Sequence, residues 1–131
     1  MKQTAWADLP NAKHIDRILA DLKRNPDRWA ATRNATRNAA RTDAWTAART
    51  AAWTAARTAA RDDAWNAAWN AARTDARNAA ASGAILALIA YDDCAYLLDE
   101  KPEHVQMLAL LGNEKAILLY SACIALQKEI I

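Results

Sequence analysis

The sequence predicts an all-α protein, and three observations support this fold class. Residues 29–80 contain neither glycine nor proline and are rich in alanine, the strongest helix former. The segments on either side carry aliphatic residues at helical spacing. Residues typical of helix ends, such as Asn25-Pro26 and Gly112, separate the predicted helices. We therefore expect one domain, residues 1–131, in which a long alanine-rich helical region packs against N- and C-terminal helices as a bundle or hairpin.

The N-terminal segment, residues 11–28, predicts a short amphipathic helix. Asn11 is placed as an N-cap, and the sequence Asn25-Pro26 ends the helical pattern. Between them, apolar residues recur on one helical face at Ile15, Ile18, Leu19 and Leu22. This face gives the alanine-rich region one surface to pack against.

Residues 29–80 form an internal repeat of 13 tetrads. Cut from Trp29, the segment reads WAAT RNAT RNAA RTDA WTAA RTAA WTAA RTAA RDDA WNAA WNAA RTDA RNAA. The first position is always tryptophan or arginine, and we call this series the Trp/Arg column. The second position is threonine, asparagine or aspartate in every tetrad but the first, and the last two are almost all alanine. Such a repeat has little large apolar material of its own, so other helices or a second chain must cover it.

A period of four residues does not match the turn of an α-helix. Because a helix turns by about 100° per residue, the Trp/Arg column drifts by about 40° per tetrad. One straight helix would scatter the column around its circumference, whereas about four or five tetrads keep it on one face. We therefore expect the region to be bent or broken, with breaks near Thr42-Asp43, Asp62-Asp63 and Thr74-Asp75.

The C-terminal region, residues 82–131, is expected to supply most of the hydrophobic core. Ser82-Gly83 is expected to end the repeat, and AILALIAYDDCAYLLD to continue as one apolar helix. A short helix opened by Pro102 and a longer one capped by Asn113 complete the region. Most of the large aliphatic residues of the chain lie in this region.

The Trp/Arg column is the candidate functional surface. Residues four apart touch on a helix, so alternating tryptophans and arginines predict a ladder of cation–π contacts. None of the repeat arginines has an acidic residue three or four positions away to pair with. The candidate partner-binding residues are Trp45, Arg49, Trp53, Arg57, Arg61, Trp65, Trp69 and Arg73.

The charge distribution leaves two uses open for these arginines. Residues 29–80 carry eight basic and four acidic side chains, whereas residues 81–131 carry three and seven. The arginines can therefore pair within the fold with carboxylates of the C-terminal region, above all Asp92, Asp93 and Asp99. Alternatively, they face a partner outside the chain.

The sequence contains no catalytic or metal-binding pattern, and we expect neither enzymatic activity nor a cofactor. His14 is expected to be a structural residue of the first helix, and His104 to face solvent. There is no Gly-rich phosphate loop and no nucleophile–histidine–acid arrangement. Cys94 and Cys123 each lie in an apolar run without metal-ligand spacing, so we expect both to be buried and reduced.

Three stretches carry a resemblance to a known group of proteins. They are NAKHIDRIL and NPDRW near the N-terminus, the Ala/Trp/Arg tetrads, and SGAILALIAYDDCAYLLD, which is the most specific. Together they cover residues 11–131 and resemble a family of small proteins encoded in tailed-phage and prophage genomes. The family has no established catalytic residues, so the resemblance implies no residue-level role. It implies a phage protein that acts in the bacterial cytoplasm on host machinery or host defence.

The leading functional hypothesis is a non-enzymatic interaction protein that binds and inhibits a host protein complex, with a defence system of the CRISPR kind as one such target. Tryptophan and arginine are the residue types that dominate protein-binding hot spots. The alternative is a nucleic-acid or nucleotide-signal binder, in which guanidinium contacts phosphate and indole stacks on bases. A third hypothesis is a structural homo-oligomer, because alanine columns allow helices to approach closely. The N-terminus MKQTAWADLP lacks an apolar signal segment and no apolar run spans a membrane, so we expect a cytoplasmic protein without a membrane partner.

Overall fold

The computed structural model describes residues 4–29, 31–32, 42–75 and 79–127, apart from the side chains of residues 42, 69, 71–75 and 79–82. Helices dominate this part of the chain and no strand occurs in it, which confirms the all-α prediction. The helices are α1 (Ala12–Arg24), α2 (Thr42–Thr58), α3 (Asp62–Asp75), α4 (Ala79–Ala90), α5 (Pro102–Leu110) and α6 (Glu114–Gln127), with a 3-10 helix at Ala95–Leu98. Among the described helices, none is both long and apolar enough to cross a membrane.

The hydrophobic core is built around α4, which packs against α1, α2, α3 and α6. The buried aliphatic side chains of α4 are Ile85, Leu86, Leu88 and Ile89. The amphipathic α1 adds Ile15, Ile18 and Leu22, none of which has any exposed surface. α6 covers the other side with a run of buried residues that includes Leu118 and Leu119. The large aliphatic residues of the core therefore come from the helices that flank the repeat.

The repeat meets this core through the fourth position of its tetrads. Three alanines of α2 and two of α3 occupy that position and are buried: Ala48, Ala52, Ala56, Ala64 and Ala68. A methyl side chain lets one helix backbone approach another closely, although its burial contributes only about 1 kcal/mol. The Trp/Arg column follows one residue later, about 100° further round the helix. It therefore lies at the edge of the buried face, where a side chain can contact both the core and solvent.

The repeat is broken between α2 and α3, at residues 59–61. Ala60 has a positive φ of 59°, in the left-handed region. The turn is closed by hydrogen bonds from the Arg61 N–H to Ala56 O and from the Ala60 N–H to Arg57 O, each 2.9 Å long. These two bonds form a Schellman motif, a helix ending that usually places glycine in the left-handed position. The prediction that the repeat is not one straight helix is confirmed.

One of the three predicted break positions, near Asp62-Asp63, is confirmed. The observed break lies just before Asp62-Asp63, which form the first turn of α3, where acidic side chains stabilise a helix N-terminus. The other two predicted breaks, at Thr42-Asp43 and Thr74-Asp75, adjoin residues outside the described part of the chain.

Replacing Ala60 with Gly is expected to raise the free energy of unfolding by about 0.5–1 kcal/mol. A left-handed L-residue is strained by roughly 1–2 kcal/mol, and the greater freedom of glycine in the unfolded chain offsets part of the gain. Gly112 ends α5 in the same hydrogen-bonded motif with a φ of 90°, so Gly112→Ala is the matched opposite change and should destabilise the fold. Urea denaturation of both variants measures the effect. An Ala60→Gly variant less stable than the wild type would contradict the strained turn.

The structure corrects the prediction that Ser82-Gly83 ends the repeat. α4 spans Ala79–Ala90 without interruption, so both residues lie inside it. Gly83 serves packing rather than a turn, because a methyl group on its Cα would lie 3.0 Å from Cζ2 of Trp45 and 3.4 Å from Cδ2 of Leu118. The missing side chain allows the indole of Trp45 to lie against the backbone of α4.

The prediction of one helix over AILALIAYDDCAYLLD was also wrong, because α4 ends at Ala90. The end is fixed by Asn11, a buried residue whose Nδ2 donates to Leu88 O at 3.0 Å and to Tyr91 O at 2.8 Å. Leu88 O is one of the last carbonyls of α4, which lack partners within the helix. Asn11 stands at the N-cap position of α1 as predicted, yet its side chain makes no cap bond there. It joins the start of α1 to the end of α4 instead.

Candidate functional site

A groove of about 540 Å³ opens between α2 and α3. Each of the two helices packs against α4 and they contact one another little, so the space between them is open with α4 as its floor. We call it the tryptophan groove. Its lining residues are Trp45, Thr46, Arg49, Thr50 and Trp53 from α2, Trp65 and Asn66 from α3, and Leu86 from α4. The groove therefore brings together half of the column residues that the sequence singled out.

One end of the groove is formed by Trp45 and Arg49, one helical turn apart on α2. The guanidinium carbon of Arg49 lies 5.8 Å from the centroid of the Trp45 ring, within the range of a cation–π contact. Both side chains are half-buried. Because Trp45 is braced against Gly83 of α4, the pair has a fixed platform on the core side.

The other end of the groove is formed by an aromatic pair across the two helices. The rings of Trp53 and Trp65 lie 5.9 Å apart at an interplanar angle of 64°, an edge-to-face arrangement. Trp65 is buried, with 7% of its surface exposed, and Trp53 is half-buried. Of the cation–π contacts predicted along α2, the structure forms the one between Arg49 and Trp45. Trp53 packs against Trp65 of α3.

The polar lining residues were missed at the sequence level. Thr46, Thr50 and Asn66 are exposed and supply hydroxyl and amide groups to the rim of the groove. Each directly follows a column residue, so each lies beside it around the helix. The second position of the tetrad could therefore have identified them, once the column was taken as a groove wall.

Arg61, another column residue, is used inside the fold. Its Nη1 donates to Ile89 O at 2.8 Å and to Asp92 Oδ1 at 2.7 Å, and its Nη2 lies 3.5 Å from Asp92 Oδ2. Ile89 O is a carbonyl of the last turn of α4, so the guanidinium completes the cap that Asn11 begins. Arg61 does not line the tryptophan groove.

An Arg61→Ala variant is expected to lose about 1–2 kcal/mol of unfolding free energy, because a carbonyl and a carboxylate lose a charged donor. The pair is partly exposed, so solvent limits the effect. Arg57→Ala is the matched control, since Arg57 is the preceding column residue and its side chain is exposed. Arg57→Ala should change stability by no more than about 0.5 kcal/mol. Equal melting temperatures for the two variants would contradict the helix-end role of Arg61.

The three carboxylates considered as intramolecular partners are all paired, but with different cations. Asp92 pairs with the repeat residue Arg61. Asp93 Oδ1 lies 3.0 Å from Nζ of Lys115, and this hydrogen bond lowers the pKa of the Asp93 carboxyl. Asp99 Oδ1 lies 3.3 Å from Nη1 of Arg17 on α1. Within the described chain, the pairing of repeat arginines with these three carboxylates is limited to Asp92.

The remaining column residues have separate surroundings. Trp29 is fully buried, and its Nε1 donates to Oδ2 of the buried Asp21 at 2.7 Å. Arg57 is exposed near the end of α2. Trp69 and Arg73 belong to α3, and their side chains lie outside the described residues. Residues of the Trp/Arg column therefore occupy three different places: the core, a helix end and the wall of the groove.

The cysteines and histidines, which are the candidate reactive side chains of the chain, do not line the tryptophan groove. Cys94 and Cys123 are free and buried, as predicted, and burial raises the pKa of the Cys94 thiol to about 12 and that of the Cys123 thiol to about 11. Such thiols hold little of the nucleophilic thiolate form at neutral pH. Burial also lowers the pKa of His14, whereas Nδ1 of the exposed His104 lies 3.2 Å from an oxygen of Glu100. Among the described residues, no group of three or more His, Cys, Asp or Glu side chains could hold a metal ion.

The chain matches no protein-family model, no curated protein and no solved structure. The resemblance to tailed-phage proteins stays a prediction. The function is therefore inferred from the residues of the tryptophan groove themselves.

Proposed function

We propose that the protein is a non-enzymatic binding protein that engages another protein through the tryptophan groove. The observation that carries the proposal is the grouping of three indoles and Arg49 around about 540 Å³ of open space. Tryptophan and arginine are enriched in the hot spots of protein interfaces, where a central pocket loses its water on binding. Gly83 and Leu86 of α4 support the groove from behind, so little ordering is needed when a partner binds.

The charges near the groove favour a protein partner over a nucleic acid. On the described parts of α2 and α3, the acidic residues Asp43, Asp62 and Asp63 offset the exposed or half-buried Arg49 and Arg57. Arg61 is already bound to Asp92. A nucleic-acid site needs several cations to neutralise several phosphates, and among the described side chains the groove lining offers one, Arg49.

The wider role that we propose is inhibition of a host protein complex in the bacterial cytoplasm, with a defence system of the CRISPR kind as one candidate target. Two observations support this role: the sequence resemblance to tailed-phage proteins, and a groove whose residues suit binding rather than catalysis. A small inhibitor of this kind needs only to occupy a surface that the complex uses, so the groove alone could supply the activity.

Blocking the groove tests the proposal. Thr50→Arg places a long charged side chain in the groove wall, whereas Thr54→Arg makes the same change at an exposed threonine of α2 outside the lining. Each immobilised variant is exposed to nuclease-treated bacterial lysate, and the captured proteins are compared. We expect a protein that the wild type and Thr54→Arg retain and that Thr50→Arg loses. Capture that needs nucleic acid, or that Thr50→Arg leaves intact, would contradict the proposal.

A second candidate role is self-association, and one observation favours it. Four large apolar residues are between 58% and 78% exposed: Tyr96, Met107, Leu110 and Leu111. Three of them lie at the C-terminal end of α5, and grouped exposed apolar residues mark interaction surfaces. Sedimentation at micromolar concentration should then give a species larger than the 14.4 kDa chain, and Leu111→Glu should return it to a monomer. A 14.4 kDa monomer for the unmodified protein would contradict self-association.

A further inference from the structure

We infer that the tryptophan groove recognises an acidic, aromatic stretch of polypeptide, in which a carboxylate meets Arg49 and a flat side chain lies against the indoles. This inference rests on the proposed protein-binding function and adds the chemistry of the partner to it. It follows from the state of Arg49, from the arrangement of the indoles and from the polar rim.

Arg49 is a guanidinium without a carboxylate partner among the described residues. Its neighbours three and four positions away on α2 are alanine, threonine and tryptophan. Three carboxylates of the C-terminal region form ion pairs with other cations of the described chain, at 2.7–3.3 Å. The pairs are Arg17 with Asp99, Arg61 with Asp92, and Lys115 with Asp93. Arg49, the cation that lines the tryptophan groove, is thus available for a ligand.

The position of Arg49 suits it to bind a carboxylate. Its contact with the Trp45 ring holds the guanidinium in place at 5.8 Å and leaves its N–H edge for a planar acceptor. Guanidinium and carboxylate form two parallel hydrogen bonds, an arrangement that an ammonium group cannot reproduce. A cationic ligand would be repelled by the same guanidinium, which excludes the use of the three indoles as a cage for a positive charge.

The aromatic half of the ligand is indicated by the other end of the groove. Trp53 and Trp65 meet edge to face at 64°, and the half-buried Trp53 offers most of the ring surface that a ligand can reach, because Trp65 is 7% exposed. Leu86 lines the floor of the groove. A flat side chain gains both apolar burial and aromatic contacts there. The hydroxyls of Thr46 and Thr50 and the amide of Asn66 line the rim, where they can bond to the backbone of an extended segment.

A titration with short peptides tests the inference. The probes are acetyl-Gly-Glu-Trp-Glu-Gly-amide and its uncharged counterpart acetyl-Gly-Gln-Trp-Gln-Gly-amide, with adenosine monophosphate as a third. The readout is the NMR signal of each indole N–H, assigned by Trp→Phe changes at positions 45, 53 and 65. We expect the acidic peptide to shift these three signals and to bind at least about tenfold more tightly than the Gln peptide. Arg49→Gln should remove that preference, and Arg57→Gln should keep it.

Each other outcome has a defined meaning. Equal binding of the two peptides, or no shift by the acidic peptide at millimolar concentration, overturns the inference. Tighter binding of adenosine monophosphate than of the acidic peptide also overturns it and favours a nucleotide ligand. If Thr50→Arg abolishes capture from lysate while Arg49→Gln does not, the acidic preference is wrong and the protein-binding function stands. If Thr50→Arg leaves capture unchanged, the proposed function itself is wrong.

Discussion

An Asn11→Asp variant is expected to lose about 3–4 kcal/mol of unfolding free energy. The wild-type side chain donates two hydrogen bonds from Nδ2, to Leu88 O and Tyr91 O, at a position that is 4% exposed. Aspartate has the same shape but no donor, so the two carbonyls lose their partner and a carboxylate oxygen lies against them. Urea denaturation at neutral pH measures the loss.

The control for this prediction is the same substitution at Asn113. That residue uses its oxygen, since Oδ1 accepts from the Ala116 N–H at 3.0 Å at the start of α6. Aspartate keeps the oxygen and adds a negative charge near a helix N-terminus, so Asn113→Asp should be neutral or slightly stabilising. Equal losses from the two changes would show that Asn11 does not act through its amide nitrogen.

A Gly83→Val variant is expected to lose about 3 kcal/mol, at the upper end of overpacking effects. The first added carbon would lie 3.0 Å from the Trp45 ring and 3.4 Å from Leu118, and two further methyl groups must fit beyond it. Trp45 lies on α2, so moving its ring away from Gly83 opens the contact between α2 and α4. Because Trp45 also lines the groove, the variant should weaken partner capture.

Ala47→Val is the matched control for valine in a helix. Ala47 lies on α2 with an exposed side chain, so its replacement should cost only the lower helix propensity of valine, about 0.5 kcal/mol. A Gly83→Val variant as stable as Ala47→Val would mean that Trp45 does not lie against Gly83. The melting temperatures of the two variants distinguish these results directly.

The helical fold was predictable because its cause is local. Alanine-rich tetrads without glycine or proline favour helix at every position, and the drift of a four-residue period requires a break. The place of this break was predicted near Asp62-Asp63, but the residue that makes the turn was not. The turn uses Ala60 in a left-handed conformation, where a helix ending usually has glycine, so its residue type did not indicate the turn.

The errors in the C-terminal region have a non-local cause. The end of α4 is held by Asn11, which is 77 positions from Leu88 along the chain, and by Arg61. Gly83 resembled a helix breaker because glycine lowers helix propensity, yet its role is to admit an indole from another helix. Both features depend on which helices pack together, and the sequence around each residue does not show this.

The residue types of the candidate site were predicted from the sequence, but the separate role of each residue was not. Arg57 and Arg61 are equivalent in the tetrad pattern, yet only Arg61 lies beside the end of α4. Likewise Trp29 is a core residue, while Trp45 and Trp53 line the groove. Periodicity identifies the face of a helix, and the tertiary packing of α2 and α3 on α4 decides what each residue on that face contacts.

The central claim, that the tryptophan groove contacts a protein partner, is tested most directly by photo-crosslinking. A photoreactive diazirine amino acid in place of Asn66 lies in the groove, and in place of Asn70 it lies on the same helix at an exposed position outside the lining. After irradiation in nuclease-treated bacterial lysate, we expect one partner protein crosslinked at position 66 and absent at position 70. Equal crosslinking at both positions, or crosslinking at position 70 alone, would contradict the claim.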